Sequence, residues 1–71
     1  MKRQLLVKRV AERARAVGLA WALVRQGRSH EWWRCGSTGV AIPRHREIPE
    51  LTALAIFREL ETELGKDWWR R

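Results

Sequence analysis

Seven consecutive residues, Gly27-Arg28-Ser29-His30-Glu31-Trp32-Trp33, bring a turn, an imidazole and two indoles together in a strongly basic chain. Imidazole changes charge near neutral pH, so His30 is the side chain best suited to move a proton. Other cations accompany it: Arg28 and Arg34 in or beside the same stretch, and the run Arg44-His45-Arg46 further on. Guanidinium forks match phosphate oxygens and an indole stacks on a nucleobase, so these side chains suit a nucleic acid. On this stretch alone, a solvated hairpin histidine with two core indoles is the favoured explanation. The rest of the chain shifts that balance.

Positioning these groups requires a hairpin. Gly27 supplies the turn, and the flanking runs Trp21 to Gln26 and His30 to Cys35 are short, aromatic or β-branched, and bounded by glycine. Alternation along the second run puts His30, Trp32 and Arg34 on one face and Glu31, Trp33 and Cys35 on the other. The first face is the expected working face, and Trp33 belongs with the core.

Composition narrows the partner. Seventy-one residues make one small domain, in which a single core yields only about 3 to 5 kcal/mol and a buried active-site cavity has no room. A site must then be an open surface covered by a polymer or a protein, which argues against a small-molecule substrate. Fifteen Lys and Arg against eight Asp and Glu give a net charge of +7, a field that attracts polyanions. A basic membrane-surface helix is disfavoured because glycines at 18, 27, 36 and 39 interrupt the chain. No apolar run approaches a membrane span and no signal-peptide core is evident, so a cytoplasmic location is expected. Cys35 is the only cysteine, which leaves no disulfide within the chain. His30, His45 and Cys35 are the only soft or borderline metal ligands, and alternation separates Cys35 from His30, so neither metal nor cofactor is expected.

The remaining elements follow from spacing. Leu6, Val7, Val10, Ala11, Ala14 and Val17 mark an amphipathic helix over about 2–17 with a basic back and Gly18 as its cap. Strands are expected at about 20–26, 30–35 and 39–43, with Trp21 in the core and Pro43 ending the third or lying at a sheet edge. Leu51, Leu54, Ala55, Phe57, Leu60 and Leu64 define a second helix over about 49–64, started by Pro49 and stopped by Gly65. The result is an α+β fold, a two-layer α-β-β-β-α sandwich with both helices on one face of a three-stranded antiparallel sheet. In the tail, residues 66–71, one of Trp68 and Trp69 is expected to fold back on the core and the other to meet a partner.

The order and spacing of several pieces carry a resemblance. They are Leu23-Val24-Arg25-Gln26-Gly27, then Ser29-His30 with Trp33 three residues on, and Ile42-Pro43-Arg44-His45-Arg46-Glu47-Ile48 leading into Glu50-Leu51. Over nearly the whole chain, to about Gly65, this pattern resembles the HicA family of toxin–antitoxin mRNA interferases, whose fold is similar to the double-stranded-RNA-binding domain. The resemblance implies ribonuclease activity with His30 as the catalytic residue, no metal cofactor, and inhibition by a HicB-type antitoxin. It also implies that Pro43, Arg44 and His45 lie near the open sheet face. Three features depart from the family: Arg28 where glycine is usual, Leu54 and Ala55 where many members are basic, and the Trp68-Trp69 tail.

The residues themselves are consistent with that chemistry. RNA carries its own nucleophile, the 2′-hydroxyl, so cleavage needs a base near that oxygen and cations near the phosphate. His30 would be the general acid or base, with Arg28, Arg44 and Arg46 holding phosphate and Trp32 stacking a base. For each arginine a solvated loop charge is an equal alternative. Ser29 is read as a turn hydroxyl, and His45 as ordering its loop in preference to moving a proton. The alternatives to an mRNA endoribonuclease are a non-catalytic RNA-binding module and a degenerate toxin that only binds its partner protein.

Overall fold

A computed structural model describes residues 1–70. Its elements are α1 (Arg3–Ala16), β1 (Trp21–Gln26), β2 (His30–Cys35), β3 (Thr38–Pro43), α2 (Glu50–Glu59), α3 (Glu61–Leu64) and a final 3-10 turn, Trp68–Arg70. The strands form one antiparallel sheet in the order β1-β2-β3, and the helices pack on it as the expected two-layer α+β sandwich.

In α1 the buried residues Leu6, Val10 and Ala14 recur every fourth position, one stripe facing the sheet. The helix stops at Gly18, whose φ of +76° only glycine adopts at little cost. There the N–H groups of Leu19 and Gly18 donate to the carbonyls of Ala14 and Arg15 at 2.8 and 3.2 Å, closing the last turn. At the other end the loop before α2 holds the first turn of α1. Arg3 N–H donates to the Arg46 carbonyl at 2.8 Å, and Ile48 N–H donates to that of Met1 at 2.8 Å.

The second helix is not continuous over 49–64. It breaks at Leu60, whose N–H is shared between the Ile56 and Phe57 carbonyls at 3.2 Å each, and α3 then restarts. Glu59, Glu61 and Glu63 account for this: acids oppose the negative end of a continuing helix but suit the first turn of a new one. Leu60 and Leu64 stay buried, so the core stripe survives the break.

The core lies between the helices and β2 and β3, with Cys35, Val40 and Ile42 meeting Leu6, Val10, Ile48, Ile56 and Leu60. No residue of β1 is fully buried. Trp21, expected in the core, is half-buried at its margin and stacks on Trp33, centroids 4.7 Å apart, while its Nε1–H has no acceptor among the described residues. Trp33 points to the helix side as expected but is likewise only half-buried. Two stacked indoles at the rim replace two indoles in the interior.

The tail folds back on its own chain. Trp68 is buried, its Nε1–H donating to the Phe57 carbonyl at 2.9 Å, and Trp69 lies half-buried against the Phe57 ring. Two arginines of the basic back of α1 secure this arrangement: Arg9 donates to the Trp69 carbonyl, and Arg13 Nε to that of Leu64 at 3.0 Å. Arg9 and Arg13 therefore have structural partners instead of facing solvent as a plain basic face. Arg71 of the tail lies outside the described residues.

Candidate nucleic-acid interface

The central strand sorts its side chains by face. Glu31 and Cys35 are buried toward the helices, whereas His30, Trp32 and Arg34 are exposed on the opposite side. The neighbours across the sheet are small: Trp32 pairs with Ala41, and Arg34 lies between Ala22 and Gly39. Nothing bulky on β3 shields the indole, and Trp32 keeps 42% of its surface exposed. Sheet geometry, and no loop, leaves this aromatic surface open.

A bulge adds a cation that sequence alternation alone would misplace. Leu23 pairs with Trp33 and Arg25 with Trp32, so Val24 is the extra residue and Arg25 turns to the open face. Its guanidinium carbon lies 5.7 Å from the centroid of Trp32, a cation–π contact. Strict alternation from Trp21 would have grouped Arg25 with Trp21 and Leu23. Its signal was present only within the Leu23-Val24-Arg25-Gln26-Gly27 motif, with no role attached.

His30 stands where the hairpin tip meets the end of β3. Its carbonyl accepts the Gly27 N–H at 2.7 Å, closing the turn, and its residue partner on β3 is Pro43, which has no N–H to give. Arg44 then ties the loop to the tip: its backbone N–H donates to the Ser29 carbonyl, and its Nη1 to that of Gly27, both at 3.0 Å. The rest of the Arg44 fork is left for an anion at this end of the sheet. The imidazole of His30 makes no hydrogen bond among the described residues, and no carboxylate occurs on the open face.

The other expected residues divide into those brought to this end and those held apart. Arg28 and Ser29 form the exposed tip, and Ser29 contributes its carbonyl to Arg44. Arg34 shares the open face but lies near the far end of β2, away from His30. His45 is exposed and makes no hydrogen bond among the described residues; the ordering of its loop, expected of His45, is carried out by Arg44 and by the Arg46 carbonyl. Arg46 instead lies beside the start of α1, where it lines a cleft with Lys2, Arg3, Gln4 and Arg44.

Beneath His30, on the helix side, a buried polar cluster supports the strand. Glu31 is paired with Arg3 and accepts from Gln26 Nε2 at 3.2 Å and Trp33 Nε1 at 3.1 Å. One strand position thus carries an exposed imidazole, and the next is locked to α1. At the other end of the strand, burial, with the Glu63 carboxylate adding to it, pushes the Cys35 thiol above its ordinary value. Cys35 is a core thiol and not a nucleophile.

Among the described residues no three His, Cys, Asp or Glu side chains gather to hold a metal ion, and no helix is long and apolar enough to cross a membrane. The fold and face define a small basic α+β domain with an uncovered cationic-aromatic sheet surface. Compared with family models, curated proteins and solved structures, the chain matches none of them.

Proposed function

We propose that this chain is a metal-independent endoribonuclease that cleaves mRNA in the cytoplasm as the toxin of a type II toxin–antitoxin pair, with His30 as its general acid or base. The observation that carries the reading is the placement of His30: uncovered, on the same face as Trp32 and Arg25, at the sheet end where Arg44 ties the following loop to the hairpin tip. The pattern shared with HicA toxins supports it further.

In this reading the RNA lies across the sheet with one base against Trp32. Stacking of this kind is worth roughly 1 to 3 kcal/mol per base and tolerates any sequence. The neutral imidazole of His30 takes the proton of a 2′-hydroxyl, whose oxygen attacks the adjacent phosphorus. The bond to the 5′-oxygen breaks, that oxygen takes a proton from water, and a 2′,3′-cyclic phosphate and a 5′-hydroxyl end result. Arg44 and Arg28 stabilise charge gathering on the phosphate. Arg34 holds the strand further from the reacting bond.

A HicB-type antitoxin would silence the domain by covering this same face. The indole of Trp32 gives a protein partner apolar area there, and Leu23 and Val24 expose more at the β1 edge of the sheet. The tail does not, since Trp68 is already buried against Phe57.

One observation favours a second reading. Among the described residues no side chain orients the His30 imidazole, as the acid of a triad would, and a non-catalytic RNA-binding module needs no such orientation. Expression of the chain alone separates the two. Growth arrest that His30→Ala relieves, with the variant accumulating to the same level, is the expected outcome; arrest that persists in His30→Ala contradicts catalysis by that residue.

A further inference from the structure

We infer that the cleft between the start of α1 and the loop after β3 is a second phosphate site, which holds the RNA backbone next to the bond broken at His30. Identification of the ligand as RNA rests on the function proposed above.

The cleft encloses about 370 Å³ and is lined by Lys2, Arg3, Gln4, Arg44 and Arg46. Four of these five residues are cations and none is an acid. The nearest carboxylates are engaged elsewhere: Glu31 pairs with Arg3 from below, and Glu47 and Glu50 each lie 3.4 Å from the Met1 ammonium. Among the described residues, one of the four cations is thus paired with a carboxylate and three are not. Like charges gathered in a concave surface raise its potential and concentrate anions within it.

The hydrogen-bond inventory points the same way. Arg3 Nε is buried and has no acceptor among the described residues, although the same guanidinium is fixed by Glu31. A buried donor without a partner is costly, so the pairing with Glu31 holds the Arg3 guanidinium at the floor of the cleft and leaves the other cations to meet a ligand. Gln4 adds an amide that can donate to the same ligand.

The position of the cleft favours a polymer over an isolated anion. Arg44 lines it and also reaches the Gly27 carbonyl at the hairpin tip, so one side chain is common to the cleft and to the surroundings of His30. The cleft is on the helix side of the sheet end and His30 on the open side. A strand cut at His30 would pass around that end, with one phosphate at Arg44 and the next ones between Lys2 and Arg46.

The test is the salt dependence of binding to a single-stranded 2′-O-methyl RNA, which lacks the nucleophile and is not cut. Each phosphate contact contributes about 0.7 to the slope of log affinity against log salt for a single strand. Lys2→Ala with Arg46→Ala removes two exposed cations and no backbone bond, and should make the slope shallower by about 1.4. Lys8→Ala with Lys66→Ala removes the same charge elsewhere on the surface and should leave the slope as in the wild type. Equal slopes in the wild type and the Lys2/Arg46 variant, or equal losses in both variants, would overturn the site. Inorganic pyrophosphate that binds the cleft more tightly than the RNA does would overturn the assignment to a backbone in favour of a small free anion. Cleavage that fails while the slope changes as expected rejects the enzyme and keeps the site. Unchanged slopes with intact cleavage reject only the site.

Discussion

The two sides of β2 are built from adjacent residues and serve opposite ends. Toward the helices, Glu31, Trp33 and Cys35 have partners: an arginine of α1, a stacked indole, and the core. Toward solvent, His30, Trp32 and Arg34 meet Pro43, Ala41 and Gly39, which are small or lack a donor. The same backbone that makes one side costly to alter leaves the other side available for a ligand. Stability is concentrated on one face, and the proposed function places base stacking and catalysis on the other.

The sharpest way to break this division is to disturb the helix-facing side. Glu31→Ala leaves Arg3 without its partner in a partly buried setting and strips an acceptor from Gln26 and Trp33. Such a loss costs about 3 kcal/mol, the low end for buried pairs because Arg3 retains some solvent contact. On a domain whose core supplies only about 3 to 5 kcal/mol, this leaves about 0 to 2 kcal/mol, and the melting midpoint should drop steeply toward ambient temperature. A melting point within a few degrees of wild type would mean that the cluster does not hold β2 to α1.

The open side should behave in the opposite way. Trp32→Ala removes an exposed indole that lies outside the core, so the melting transition should move little. Affinity for single-stranded RNA should nevertheless fall by about 1 to 3 kcal/mol, measured by fluorescence anisotropy. Unfolding of this variant, or unchanged affinity, would contradict the separation of the two faces.

Much of that separation was legible in the sequence because it follows from period two: His30, Trp32 and Arg34 had to share a face, and Glu31 and Cys35 the other. The helices were legible for a similar reason, since apolar residues at every third or fourth position define a stripe before any partner is known. Features that depend on contacts between distant segments were not. The pairing of Arg3 with Glu31 leaves no local pattern, and neither does the use of Arg9 and Arg13 to hold the tail. The bulge at Val24, which delivers Arg25 to Trp32, shifts a register that alternation assumes to be constant. The break at Leu60 was readable in principle from three acids at the end of a helix, but the apolar stripe continues through it and conceals it.

The smallest expected effect concerns Cys35, on the protected side. Its thiol is pushed upward by burial first and by Glu63 second, so the native state binds the proton more tightly than the unfolded chain. Its contribution to stability is complete below the ordinary thiol value of 9.0 and is lost as pH rises beyond it toward the raised native value. Denaturant midpoints followed from pH 8 to about 10 should fall more steeply for wild type than for Cys35→Val. Parallel curves would mean that the thiol titrates alike in both states.

The central claim rests on His30 and is tested most directly by cleavage of single-stranded RNA, by wild type and His30→Ala, with and without chelator, together with a thermal melt of each. Loss of a positioned acid or base lowers a rate by about 10² to 10⁴. The expected result is cleavage by wild type that chelator does not slow, and barely detectable cleavage by His30→Ala with an unchanged melt and RNA binding retained. Full activity in a folded His30→Ala protein, or abolition of wild-type activity by chelator, would contradict the account.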